Sequence, residues 1–318
     1  RMRYEMMKQC IKLNNGWKFT PDYQESYLEI KDFSDFKTVN IPHTVKEIPY
    51  DCFDDKITCM VSTYVKEILI PECMPERVFI AFDGVSLAFD LYVNGQIVGS
   101  HQGPYSTSYF DITRFVIPGK NLIVCRVDSN ENPQIPPNGA VVVDYLMYGG
   151  IYRDVRLYFQ DICVMTNVKA SYTLETDREG INGKVFFTPE VFLDNAGKAG
   201  KAVILVAISR EGDKVCSYER TISVEEGKNN VKLESEIIQN VSLWNPGKPA
   251  LYQVEFKMKF DDGEHFAKDT FSCQVGFRDI RVEKSGFYIN GKKIKLIGAN
   301  RHQAYPYVGY ALGKKAQE

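Results

Sequence analysis

The sequence predicts an all-β protein built from antiparallel sandwiches, and three observations carry that prediction. Apolar and polar residues alternate with a period of two in several runs, and Asn-Gly and Asp-Gly dipeptides close those runs. No sustained 3.6-residue periodicity occurs before about residue 300. The content of 19 Tyr and 19 Phe suits pleated sheets more than helices.

Taken in order, Leu87, Phe89, Leu91 and Val93 alternate with Ala88, Asp90 and Tyr92, then meet Asn94-Gly95. Asn-Gly supplies the positive φ angles of a type I′ turn, which predicts a hairpin. Val254, Phe256, Met258 and Phe260 form the clearest strand, with Gln253, Glu255, Lys257 and Lys259 on the opposite face. That pattern belongs to a sheet with one buried and one wet face. Asp261-Asp262-Gly263 turns the chain into a further alternating run through Ala267, Phe271, Cys273 and Val275. Phe287–Ile289, Asn290-Gly291 and Ile294–Ile297 repeat the hairpin device.

A domain break is expected near residue 160. Up to Phe159 the segments are long and loop-rich, including the three prolines of Asn130–Asn138. Residues 1–160 suit a larger, jelly-roll sandwich. After Asp161 the strands are shorter and regularly punctuated. A stretch of about 115 residues, 161–277, suits one immunoglobulin-like sandwich, without the Cys…Trp…Cys pattern of antibody domains.

Composition narrows the function classes. The 39 basic and 41 acidic residues give a formal charge of −2, so no bulk field favours nucleic acid or an anionic membrane. No segment approaches the ~18 apolar residues of a transmembrane helix. Arg1–Asn15 is mixed and charged, unlike a signal peptide. A cytoplasmic location is therefore expected. No pair among the eight cysteines has Cys-x-x-Cys spacing and only four histidines accompany them, which argues against zinc. Cys125 and Cys163 sit in apolar strand-like runs and are expected to be buried free thiols.

Several tags, in order, resemble a known family. They are Asn15-Gly16-Trp17 with Ile41-Pro42-His43-Thr44, Phe82-Asp83-Gly84-Val85, Val93-Asn94-Gly95, and Phe110-Asp111-Ile112-Thr113. Gly149-Gly150-Ile151-Tyr152-Arg153-Asp154-Val155, Trp244-Asn245-Pro246, Val275-Gly276-Phe277-Arg278 and Gly298-Ala299-Asn300-Arg301-His302 continue the series. Each alone is weak, but their shared order over nearly the whole chain resembles family 2 glycoside hydrolases of the β-galactosidase and β-glucuronidase type.

The resemblance implies a jelly-roll sugar-binding domain (1–160), an immunoglobulin-like domain (161–278), and the truncated start of a (β/α)8 barrel (279–318). In that family two barrel glutamates act in a retaining mechanism, which requires carboxylates ~5–5.5 Å apart. A barrel needs ~250 residues, and 40 follow Arg278. Both glutamates are therefore expected beyond Glu318, leaving this chain without catalysis. Lys295–Ala299 would be the first barrel strand.

By the same resemblance, His302 binds substrate at the sugar subsite, with Asn300 beside it. Gln303 departs from the family's usual glutamate and removes a charge. Asp144, seven residues before Ile151, would reach from the jelly roll toward sugar hydroxyls, since a carboxylate accepts from two hydroxyls at once; a solvated acid or a partner for Arg153 is the alternative. Arg301 either holds active-site carboxylates or ties the barrel to the first domain, the structural reading being preferred. Tyr105 and Tyr109 either stack on sugar or, as strand aromatics usually do, belong to the core. Trp17 and Trp244 are read as packing anchors. No cofactor is expected within these residues, although a divalent or monovalent cation could belong to the parent's barrel. The expected partner is a carbohydrate, and a homo-oligomer is compatible with the sequence. β-Galactosides lead as the parent's substrate, followed by β-glucuronides and β-mannosides. The rival class is a stand-alone carbohydrate-binding or adhesion module, which would have no use for the block ending at His302.

Overall fold

Alternation in the sequence becomes burial in the structure, a computed structural model that describes residues 9–49, 51–52, 54, 56–137, 145–176, 181–302 and 304–317. In strand Tyr252–Asp261, Tyr252, Val254, Phe256, Met258 and Phe260 are buried while Gln253, Lys257 and Lys259 face solvent. The described residues are almost entirely strand and loop, and the chain separates into two units. One comprises residues 1–160 and 300–318, the other residues 161–299.

In the first unit two antiparallel sheets enclose one core. The four-stranded sheet runs in the order Gln9–Lys12, Val155–Gln160, Arg77–Phe82, Ser108–Asp111. The six-stranded sheet runs Lys37–Val39, Trp17–Thr20, Val61–Ile70, Gly119–Asp128, Ala88–Val93, Gln96–Gln102. The last two strands are the hairpin expected from the sequence, with Asn94 at φ 51° and Gly95 at φ 80°. A right-handed strand twist favours such primed turns, which need positive φ at both central residues. Trp17, Phe82, Phe89, Leu91 and Ile123 fill the core between the sheets. Trp17 is fully buried, and its indole N–H donates to the carbonyl of Leu13, so the ring loses no hydrogen bond on burial.

The second unit is an immunoglobulin-like sandwich around a separate core that includes Phe187, Val206, Phe256 and Phe260. Its largest sheet orders Asp213–Val224, Gly200–Arg210, Tyr252–Asp261 and Phe266–Val275. Phe277 closes this core, 5.0 Å from the Tyr172 ring and 5.2 Å from Tyr252. The Tyr172 hydroxyl donates to the Arg278 carbonyl and accepts from the Arg278 N–H, both at 3.0 Å. All eight cysteines are free thiols, and Cys125 and Cys163 are buried.

After Arg278 the chain forms a small meander, Ile280–Glu283, Gly286–Ile289 and Lys292–Ile294, with the second Asn-Gly turn at Asn290 (φ 48°) and Gly291 (φ 75°). The expected strand Lys295–Ala299 does not form, and Leu296 and Ile297 stand 71% and 88% exposed. A strand of parallel-barrel type needs hydrogen-bonded neighbours on both edges, and none is present here among the described residues.

Candidate functional site

Residues 145–152 and 304–310 meet on the first unit, and glycines make the meeting possible. Gly150 adopts φ 113°, and a Cβ there would stand 2.6 Å from the His43 carbonyl and 2.8 Å from the Tyr64 hydroxyl. Only a glycine lets the backbone approach that closely. This seats Tyr148 and Tyr152 in buried positions. The Tyr152 hydroxyl donates to the Pro104 carbonyl, which holds the turn that presents Tyr105.

The later segment is pinned by backbone pairing between Ile48 and Tyr307, with N–H···O distances of 3.1 and 2.9 Å in the two directions. A tight turn follows, in which the Gly309 N–H bonds the Tyr305 carbonyl at 2.9 Å. Gly309 has φ 55°, and a Cβ would fall 2.1 Å from the Tyr148 ring. That contact steers Tyr310 onto the body of the unit. Its ring lies edge-on to Tyr148 at 4.7 Å and 5.6 Å from Tyr152, and its hydroxyl donates to the Leu146 carbonyl at 3.1 Å. The Arg153 guanidinium donates to the Tyr310 carbonyl at 2.9 Å and stacks over the Tyr152 ring.

The result is an open cleft of about 370 Å³, within the range of small-molecule sites. Tyr105 stands on its rim, 54% exposed, with its hydroxyl 3.3 Å from that of Tyr145 and 3.5 Å from that of Tyr310. His302 lines the same cleft, its ring 5.7 Å from Tyr145 in an edge-on arrangement, and Arg301 lines it too.

Burial pushes the Tyr105 phenol up, with the neighbouring Tyr145 and Tyr310 hydroxyls adding to the shift. Burial likewise pushes Tyr152 up to about 12 and raises Tyr148 and Tyr310. These tyrosines are therefore neutral near pH 7, able both to donate and to accept. No carboxylate lines the cleft among the described residues, so it offers hydrogen bonding and aromatic surface but no acid–base pair. The described residues also hold no group of three or more metal-ligating side chains.

The sequence-derived candidates fare differently. His302 and Arg301 are brought into the cleft, whereas Asn300 is exposed and does not line it. Asp144 and Gln303 lie outside the described residues. Tyr105 and Tyr109, expected in the core, are 54% and 62% exposed, and only Tyr105 lines the cleft. Tyr145, Tyr148, Tyr152 and Tyr310 were not singled out by sequence reasoning. Their only signal is clustering in segments that lack strand alternation.

Comparison with known proteins adds a family. Residues 12–161 match the description "Glycosyl hydrolases family 2, sugar binding domain", and residues 164–278 match "Glycosyl hydrolases family 2". A β-galactosidase of Thermoanaerobacterium thermosulfurigenes is 35% identical over 98% of this chain and 43% of its own length. A β-glucuronidase of Bacteroides fragilis is 31% identical over 98% of this chain and 44% of its own. The crystal structure of a Bacteroides uniformis β-glucuronidase shares the fold, with a TM-score of 0.84 at 23% identity over 97% of this chain and 37% of that one. The chain thus spans less than half the length of each of these three relatives.

Proposed function

Because the chain belongs to glycosyl hydrolase family 2, we propose that it is the N-terminal, non-catalytic portion of a retaining glycoside hydrolase whose parent cleaves terminal β-linked glycosides, β-galactosides first. The observation that carries this reading is the placement of His302 against Tyr145 in a tyrosine-lined cleft of the first unit. In this reading the cleft is one wall of the substrate site, and the paired carboxylates that break the bond come from beyond Glu318. Such a pair needs one protonated and one ionised member ~5–5.5 Å apart. The described lining supports a binding role only. His302 hydrogen-bonds a sugar hydroxyl, Tyr105 and Tyr145 offer ring surface and phenol donors, and Arg153 holds Tyr310 in place. Asp144 is proposed as an acceptor for sugar hydroxyls, with Asn300 as a further substrate contact.

The ordering of substrates follows the relatives. The first two are β-galactosidases at 35% and 34% identity, and a β-glucuronidase follows at 31%. The test measures turnover of nitrophenyl β-galactoside and nitrophenyl β-glucuronide by residues 1–318 and by the full-length parent. The expected result is no turnover by the chain alone and preference for the galactoside by the parent. Turnover by the chain that disappears with a point substitution within residues 1–318 would overturn the non-catalytic reading. A parent that prefers the glucuronide would overturn the substrate order.

A further inference from the structure

A second cleft lies on the outer face of the six-stranded sheet, away from the core, and nothing in the proposed reaction uses it. Strand pairing builds its floor. Arg126 sits opposite Asp90, Asp90 opposite Ser100, and Asp128 opposite Ala88, so their side chains share the outward face. Arg126 donates to Asp90 at 3.3 Å and to Asp128 at 3.4 Å, while its guanidinium lies over the Tyr23 ring. Ser100 donates to Asp90 at 2.5 Å. The Asn130 amide donates to Asp128 at 2.8 Å. Glu131 and Gln102 are exposed and Ile135 is buried, all three lining the same space of about 310 Å³.

From this arrangement we infer that the cleft is a second carbohydrate-binding site, taking one neutral saccharide unit. Arg126 is shared between Asp90 and Asp128, so with Glu131 the described lining sets three carboxylates against one guanidinium. A phosphate or uronate would meet this excess of carboxylates among the described residues. A neutral polyol suits the site better, because each hydroxyl both donates and accepts. The carboxylates keep spare lone pairs after their internal bonds, the guanidinium keeps further N–H groups, and Gln102 adds an amide. The internal ion pairs hold these groups in place before binding, which lowers the ordering cost. The Ala88 methyl gives the floor a small apolar area, backed by the buried Leu87 and Ile135. The site goes beyond the hydrolase reading, because it concerns binding by this chain without turnover.

The experiment follows methyl NMR resonances of Leu87, Ala88 and Ile135 in the 318-residue chain during titration with lactose, cellobiose and mannobiose. A glucuronate-containing disaccharide serves as the anionic counterpart. The expected result is saturable shifts at these methyls with at least one neutral disaccharide, and a dissociation constant on the order of 1 mM. Glu131→Gln with Gln102→Ala should weaken binding by about 5- to 10-fold, as expected for lost hydrogen bonds. Ala88→Leu, an apolar change on the floor, should abolish it by filling the space. Should that variant fail to fold, the two rim substitutions still decide the matter. Unmoved methyls at about ten times the expected constant, shifts only with the anionic disaccharide, or rim variants that bind like wild type would each overturn the inference. Failure here leaves the enzymatic reading intact, since turnover by the parent is measured separately.

Discussion

Replacing Tyr310 should loosen the segment that carries His302 while leaving the sandwich intact. The Tyr310 ring is half-buried and meets three other rings: Tyr148 at 4.7 Å, Tyr152 at 5.6 Å and Tyr105 at 6.3 Å. Aromatic pairs contribute ~0.5–1.5 kcal/mol beyond area burial. Losing them together with half a ring of buried surface costs about 3 kcal/mol in Tyr310→Ala. Tyr310→Phe removes only the hydroxyl bond to Leu146, a loss of about 1 kcal/mol. The backbone bond from Arg153 to the Tyr310 carbonyl survives both changes. Hydrogen exchange at the Ile48 and Tyr307 amides reports on the segment, because these N–H groups pair it to the body. Local opening should become about 100-fold more frequent in the alanine variant and about 5-fold in the phenylalanine variant, at 1.4 kcal/mol per decade. The global melting temperature should move little, since the core lies elsewhere. Wild-type exchange at both amides, or a melting temperature that falls in step with them, would refute the reasoning.

Further outcomes follow from the same structure. Gly150→Ala should destabilise the first unit by more than 2 kcal/mol, because φ 113° is strained for any side chain and the new Cβ would stand 2.6 Å from a carbonyl; chemical denaturation measures it. Burial, aided by Lys37, lowers the His43 imidazole from 6.5 to about 4. Its folded pKa is thus depressed, so the stability it contributes is full above pH 6.5 and is lost as pH falls toward 4, about 3 kcal/mol in all. His43→Gln should flatten that part of the stability–pH curve, and equal slopes in the two proteins would contradict it. In the full-length parent, Asp144→Asn should lower kcat/KM about 10- to 100-fold with little change in melting, because charge-assisted hydrogen bonds are worth ~1.5–3 kcal/mol. A variant that melts early with intact kinetics would make Asp144 a structural residue. His302→Asn in the parent should lower kcat/KM while leaving hydrogen exchange at Ile48 unchanged, which separates substrate binding from a packing role.

How much was legible in the sequence depended on the range of the interaction that decides each feature. Strand Tyr252–Asp261 was readable because alternation is local: each side chain's face follows from its neighbours at two-residue spacing. Both Asn-Gly turns were readable for the same reason, since the positive φ is a property of two residues. Lys295–Ala299 shows where local reading ends, because its apolar character is local but strand formation depends on neighbours. Tyr105 misled, for an aromatic residue flanked by Pro104 and Ser106 carries no period that assigns it a face. The cleft lies furthest from local signals. The Tyr105 and Tyr310 hydroxyls meet across 205 residues of chain, and what joins them is the absence of side chains at Gly150 and Gly309. A binding site assembled from loops is fixed by such close approaches, and a sequence read without them shows only scattered tyrosines. His302 was found because its block resembled a family. The tyrosines that surround it could be found only by folding the chain.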